Sequence, residues 1–100
     1  MKEINLHISE ISTLCKLNNV QSLFAFGSIL KGSLQPESDV DLVVAIEDKD
    51  PLKYSDYYFD LKDGLEKIFE RRIDLLEEKA IRNPFLKKEI DNNKVLLYAK

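Results

Sequence analysis

Two apolar runs carry polar chemistry at their ends: Leu23-Phe24-Ala25-Phe26 leads into Gly27-Ser28, and ten residues later Asp39-Val40-Asp41 opens the run Val40-Asp41-Leu42-Val43-Val44-Ala45-Ile46. Both runs have the composition of β-strands, and the second is β-branched and apolar enough to be buried on both faces. Glycine lets a backbone turn tightly and approach a phosphate, and a serine opening a helix adds its hydroxyl and N–H to the positive end of the helix dipole. Asp39 and Asp41, two apart on a strand, leave the same face and can bridge divalent cations that clamp a triphosphate. A phosphate turn at the carboxyl end of one strand, joined to paired carboxylates on another, suggests nucleotidyl transfer.

The acid inside the second run sharpens this expectation. An unpaired buried charge is expensive, so Asp41 must be neutral, hydrogen-bonded, ion-paired or metal-bound, and a metal accounts for it most simply. Ile73-Asp74-Leu75-Leu76 repeats the pattern and makes Asp74 the third candidate carboxylate, with pairing to Arg71 or Arg72 as the alternative reading. Gly32-Ser33 and Pro36 then turn the chain back between the two strands.

Taken together, Gly27-Ser28-Ile29-Leu30-Lys31-Gly32-Ser33, Ser38-Asp39-Val40-Asp41-Leu42-Val43-Val44 and the downstream Asp74 resemble the minimal nucleotidyltransferases, small members of the polymerase-beta-like superfamily. The resemblance covers most of the chain. It implies that Asp39, Asp41 and Asp74 form the catalytic, magnesium-binding set, with Asp74 helping to activate the attacking hydroxyl. It also implies that Gly27, Ser28, Lys31 and Ser38 contact the nucleotide. Many relatives carry Ala-Arg-Gly where this chain has Leu30-Lys31-Gly32; lysine keeps the charge but loses the bidentate fork of arginine. Members of the family often act as antitoxins to a helical HEPN-type RNase toxin, some by transferring AMP from ATP to a toxin tyrosine. The implied activity is therefore that of a magnesium-dependent protein adenylyltransferase, with ATP as donor and two Mg2+ ions. The alternatives are a non-catalytic toxin-binding module and a subunit of a small-molecule-modifying nucleotidyltransferase.

Length and charge narrow the field. With 100 residues, 44% of them hydrophobic, residues 1–100 are expected to form one minimal nucleotidyltransferase domain. Such a domain has no room for an acceptor-binding domain of its own, so the acceptor is expected from another protein or a second copy in a homo-oligomer. The net charge of −3 argues against generic nucleic-acid binding. Residues 37–63 hold nine acids and three lysines, a field that would repel a triphosphate without cations. Within that segment Glu47, Asp48 and Asp50 are read as solvated. Cys15 is alone, which fits a reducing compartment and a packed thiol, and the single His7 is read as a surface or helix residue. Neither a secretory signal nor a membrane span is evident, so the expected location is cytoplasmic.

Periodicity supplies the rest. Ile4, Ile8, Ile11 and Cys15, with Leu14 beside them, predict one amphipathic helix ending near Asn18-Asn19. Tyr54, Tyr58, Leu61, Leu65 and Ile68 predict a second helix, widened by Tyr57 and Phe59. Asn83-Pro84 predicts the start of a third, with Phe85, Leu86 and Ile90 on its buried side and Asn92-Asn93 at its end. Val95-Leu96-Leu97-Tyr98 predicts a terminal strand or an extended segment. The αβαβαβ order predicts an α/β fold, and the resemblance makes its sheet mixed, with helices packed against it.

Overall fold

A computed structural model describes residues 2–27 and 39–100. The expectations placed on Ser28, Lys31 and Ser38 lie outside the described residues. No described helix is long and apolar enough to cross a membrane.

The sheet forms because four apolar runs share one alternation. In chain order the strands are β1 (Val20–Phe26), β2 (Val40–Ile46), β3 (Ile73–Glu77) and β4 (Val95–Ala99), arranged in space as β3-β2-β1-β4. β1 is antiparallel to both β2 and β4, whereas β2 and β3 are parallel, so the sheet is mixed as expected. The parallel pair requires a crossover, and the helix α3 (Pro51–Phe69) provides it. Val20, Leu23 and Ala25 of β1, Val40, Leu42, Val44 and Ile46 of β2, and Ile73 and Leu75 of β3 point to one face and are buried. There they meet Ile4, Ile11, Cys15, Leu61, Leu65 and Phe69 from the helices in one core.

The first helical stripe is broken where one helix is expected. α1 (Lys2–Leu6) and α2 (Ile8–Leu17) are separated by a turn at His7. The His7 N–H bonds the Ile4 carbonyl at 3.1 Å, a three-residue closure that tightens the chain, and the imidazole Nδ1 lies 3.2 Å from Glu10 Oε1. The ring also meets Phe69 edge-on, so His7 ties the break to the end of α3. Ile8, counted in the apolar stripe by its spacing, is exposed as a result.

α3 starts on a cap that the sequence reading treats as solvated acid: the Asp50 carboxylate accepts the Leu52 N–H at 2.9 Å, with Pro51 in the first turn. It ends at Glu70, whose left-handed φ of 53° terminates the helix. Tyr58 donates its hydroxyl to the Leu75 carbonyl at 2.6 Å and fastens α3 to β3.

α4 (Pro84–Asn93) is capped as the sequence predicts, with the Asn83 side chain accepting from Phe85 N–H at 2.9 Å and Leu86 N–H at 3.3 Å. Its buried side differs from the expectation, because only Ile90 is buried while Phe85 is 84% and Leu86 39% exposed. α4 touches the sheet through its C-terminal end, where Lys94 Nζ lies 4.2 Å from the Phe24 ring centroid. Residues of the first turn are thereby left off the sheet. Val95–Ala99 forms a true strand at the sheet edge.

Candidate active site

Strand alternation places the acids opposite the helical core. In β2, Val40, Leu42 and Val44 face α2 and α3, so Asp41 and Val43 face the other side. The register sets Asp41 beside Phe26 on β1 and beside Asp74 on β3. The Arg72 carbonyl accepts the Val40 N–H at 3.0 Å, and Glu66 Oε2 accepts the Ile73 N–H at 3.1 Å; both bonds hold the start of β3 level with the start of β2. Asp41 and Asp74 are consequently neighbours on adjacent strands, about 5 Å apart by sheet spacing. Asp39 precedes β2 by one residue and is exposed, as is Asp74, while Asp41 is half-buried.

The electrostatics follow from this placement. Desolvation raises the Asp41 pKa above the ordinary carboxylate value, and the charges of Asp74 and then Asp39 raise it further, with a hydrogen bond to Asp74 adding to the effect. The sequence argument that Asp41 needs compensation is thus visible as a carboxyl resisting ionisation among like charges. Carboxylate oxygens are hard ligands of the kind that Mg2+ or Mn2+ takes. Asp41 links the other two acids electrostatically, although no three His, Cys, Asp or Glu side chains among the described residues are drawn together as a closed ligand set.

Gly27 completes the group from the β1 side. It follows Phe26 directly, adopts φ +80°, and lies so close to Asp41 that a Cβ at this position would be 2.6 Å from Asp41 Oδ2. Of the residues singled out in the sequence, the structure brings Gly27, Asp39, Asp41 and Asp74 to one end of the sheet.

The sequence reading missed the supporting groups. Glu66 and the Arg72 carbonyl set the register of β3, but a backbone acceptor has no sequence signature, and Glu66 reads as one more acid on a helix. Tyr54 and Tyr58 read as core and do pack against it, but their hydroxyls also reach β3, Tyr58 at the Leu75 carbonyl and Tyr54 at Glu77. Burial first, then the charge of and a hydrogen bond to Glu77, lift Tyr54 to about 12. Burial, then Glu77 and Asp74, also raise Tyr58. Cys15 is packed as expected, and burial pushes its thiol up to about 12. A separate apolar groove of about 480 Å³ between α2 and α3, lined by Leu14, Leu17, Gly64 and Ile68 among others, lies on the helical layer, across the sheet from Asp41. Its lining is mainly apolar, and its one charged side chain, Glu10, is an acid that does not suit a triphosphate.

The family described as "Polymerase beta, Nucleotidyltransferase" matches residues 9–100, and the chain belongs to it. Among its relatives is MJ1379 of Methanocaldococcus jannaschii, which bears the name of a protein adenylyltransferase. It is 36% identical over 74 residues, which are 74% of this chain and 73% of the relative. The fold matches a solved minimal nucleotidyltransferase with a TM-score of 0.77 at 24% identity, covering 94% of this chain and 92% of the other. It also matches a chain from the complex of a tri-AMPylated Shewanella oneidensis HEPN toxin with an MNT antitoxin. That match has a TM-score of 0.65 at 19% identity and covers 97% of this chain and 73% of the other.

Proposed function

We propose that residues 1–100 form one minimal nucleotidyltransferase domain that transfers AMP from ATP to a hydroxyl of a protein acceptor, a tyrosine of a HEPN-type toxin, and so acts as its antitoxin. The observation that carries this reading is the register pair Asp41–Asp74, with Asp39 and Gly27 beside it, in a chain of the polymerase-beta-type nucleotidyltransferase family. The protein adenylyltransferase name of MJ1379 and the AMPylated toxin bound to a structurally similar antitoxin support a protein as the acceptor.

Asp39 and Asp41 would hold the metal, and their carboxylates fit it because Asp41 stands beside Asp39 and Asp74, whose negative charges hold its pKa up. Bound Mg2+ supplies charge stabilisation on the attacking and leaving oxygens of an in-line displacement. Gly27, Ser28, Lys31 and Ser38 would hold the phosphates. Asp74 would orient the acceptor hydroxyl and take its proton as the new bond forms between that oxygen and the α-phosphorus; the bond from the α-phosphorus to the bridging oxygen breaks, and pyrophosphate leaves. Accurate placement of hydroxyl and phosphorus supplies much of the acceleration, and no covalent protein intermediate is needed.

The test incubates the purified domain and a HEPN-type partner with ATP and Mg2+, and reads partner mass on the intact protein. The expected result is a gain of whole AMP units with the native chain and none with Asp41→Ala. An unmodified partner that is nevertheless inhibited in a stable complex would replace this reading with neutralisation by binding. The exposed Phe59 and Phe85 favour that second reading, since they offer apolar contact area outside the core. Partner neutralisation by folded Asp39→Ala and Asp41→Ala variants that still bind it separates the two: the binding reading needs it retained, the catalytic reading needs it lost.

A further inference from the structure

Gly27 has two separate features that exclude a side chain. Its φ of +80° is a backbone conformation that L-residues rarely adopt, and the space where a Cβ would sit is filled by the Asp41 carboxylate. The distances distinguish the atoms involved: 2.6 Å to Oδ2, 3.4 Å to Cγ and 3.5 Å to Cβ of Asp41. The overlap is therefore with the carboxylate end, while the Asp41 Cβ stays at ordinary contact distance.

Gly64 provides an internal contrast. A Cβ there would come as close to Leu14, at 2.6 and 2.7 Å from its methyls and 3.2 Å from its Cγ, but that leucine stands beside an open groove and Gly64 has no left-handed φ. The Asp41 carboxylate is half-buried, with Phe26 level with its residue on one strand and Asp74 on the other, so any movement away from Gly27 has to be accommodated beside a second carboxylate.

We propose that Gly27 is a positioning residue for Asp41: its bare Cα forms the wall that fixes where the Asp41 carboxylate points, in addition to any approach it allows to a phosphate. This inference rests on the reading of Asp41 as the central acid of the site, and it assigns Gly27 a role toward the protein's own carboxylate. The same glycine would then set both the start of the phosphate turn and the aim of the acid, coupling the two halves of the motif through a single backbone position.

A thermal-unfolding cycle on metal-free, nucleotide-free protein tests it, with Gly27→Ala placed in the native and the Asp41→Ala backgrounds. Because Asp41→Ala removes Oδ2 and Cγ but keeps Cβ, it leaves the backbone strain at residue 27 in place and abolishes the overlap. The expected result is rescue: Gly27→Ala lowers Tm in the native background by ~5 °C or more beyond its effect in the Asp41→Ala background. Equal losses in the two backgrounds would overturn the proposal and leave only a dihedral requirement. Gly27→Asn guards against loss of folding, since asparagine tolerates the left-handed region while retaining the Cβ, as Asn19 of this chain does at φ 56°. It is expected to show the same rescue, and an equal loss in both backgrounds would count against the proposal in the same way. The readout needs no transfer activity, so failure here is distinguishable from failure of the functional reading.

Discussion

The two faces of one sheet are built from alternate residues of the same strands, yet they serve opposite ends. Toward α2 and α3, Val40, Leu42, Val44, Leu23, Ala25, Ile73 and Leu75 are buried without a charged side chain among them. Toward the other side, within five residues of β2 and β3, the strands present Asp41, Val43, Asp74 and Leu76, and the covering is partial: Val43 and Ile90 are buried but lie apart from the main core. One face can therefore supply the apolar burial that holds the domain together, and the other can keep mutually repelling acids. In this arrangement the apolar core and the proposed site are separated by the two-residue period of a strand, and a one-residue slip in β2 would exchange them.

The largest expected effect breaks the polar face. Asp41→Ala is expected to reduce transfer by at least ~10³-fold, because several kcal/mol of metal-mediated charge stabilisation is lost, while the fold persists. Activity assays paired with thermal melts check both parts, and a variant that melts far below the native chain would show that the two faces are not separable. The opposite change, Leu61→Ala, removes a fully buried side chain from the apolar face. It is expected to destabilise by about 2–5 kcal/mol in urea unfolding.

pH sharpens the comparison. The Asp41 pKa is raised in the folded state by desolvation, then by Asp74 and Asp39, so the folded chain holds this proton more tightly than the unfolded chain does. Stability contributed by the protonated group is complete below the unfolded pKa and is lost as pH rises through the folded one. Lowering the pH through that window should therefore stabilise the native protein relative to Asp41→Asn, which cannot ionise there. Melting curves of the two proteins across the acidic range provide the check, and parallel pH profiles would contradict the grouping of these acids. The smallest effect lies away from both faces: Asn83→Ala removes the cap of α4 and should cost ~1 kcal/mol in the same unfolding assay, with no change in transfer.

The sequence made much of this legible because the decisive residues carry strong local signals. An aspartate inside Val40–Ile46 and another inside Ile73–Glu77 announce themselves against β-branched neighbours, and Asn83-Pro84 and Tyr54 to Ile68 have the spacing of the helices they form. What stayed hidden depends on contacts between distant segments. The break at His7 comes from a tight backbone closure and a ring contact with Phe69, neither of which alters the apolar spacing of Ile4 to Cys15. Phe85 and Leu86 have the right period to be buried, but only the far end of α4 reaches the sheet, at Phe24. The register that levels Asp41 with Asp74 relies on Glu66 and a backbone carbonyl, and the contact between Gly27 and Asp41 relies on two strands fourteen residues apart in sequence becoming neighbours.

The central claim, that the acids of the open face seat a metal-bound nucleotide, is tested most directly by titrating Mn2+ into the protein with a non-hydrolysable ATP analogue and counting bound metal by electron paramagnetic resonance. The native chain is expected to bind Mn2+ together with the analogue, and a folded Asp41→Ala variant to lose that binding. Equal metal stoichiometry and affinity in the two proteins would contradict the account.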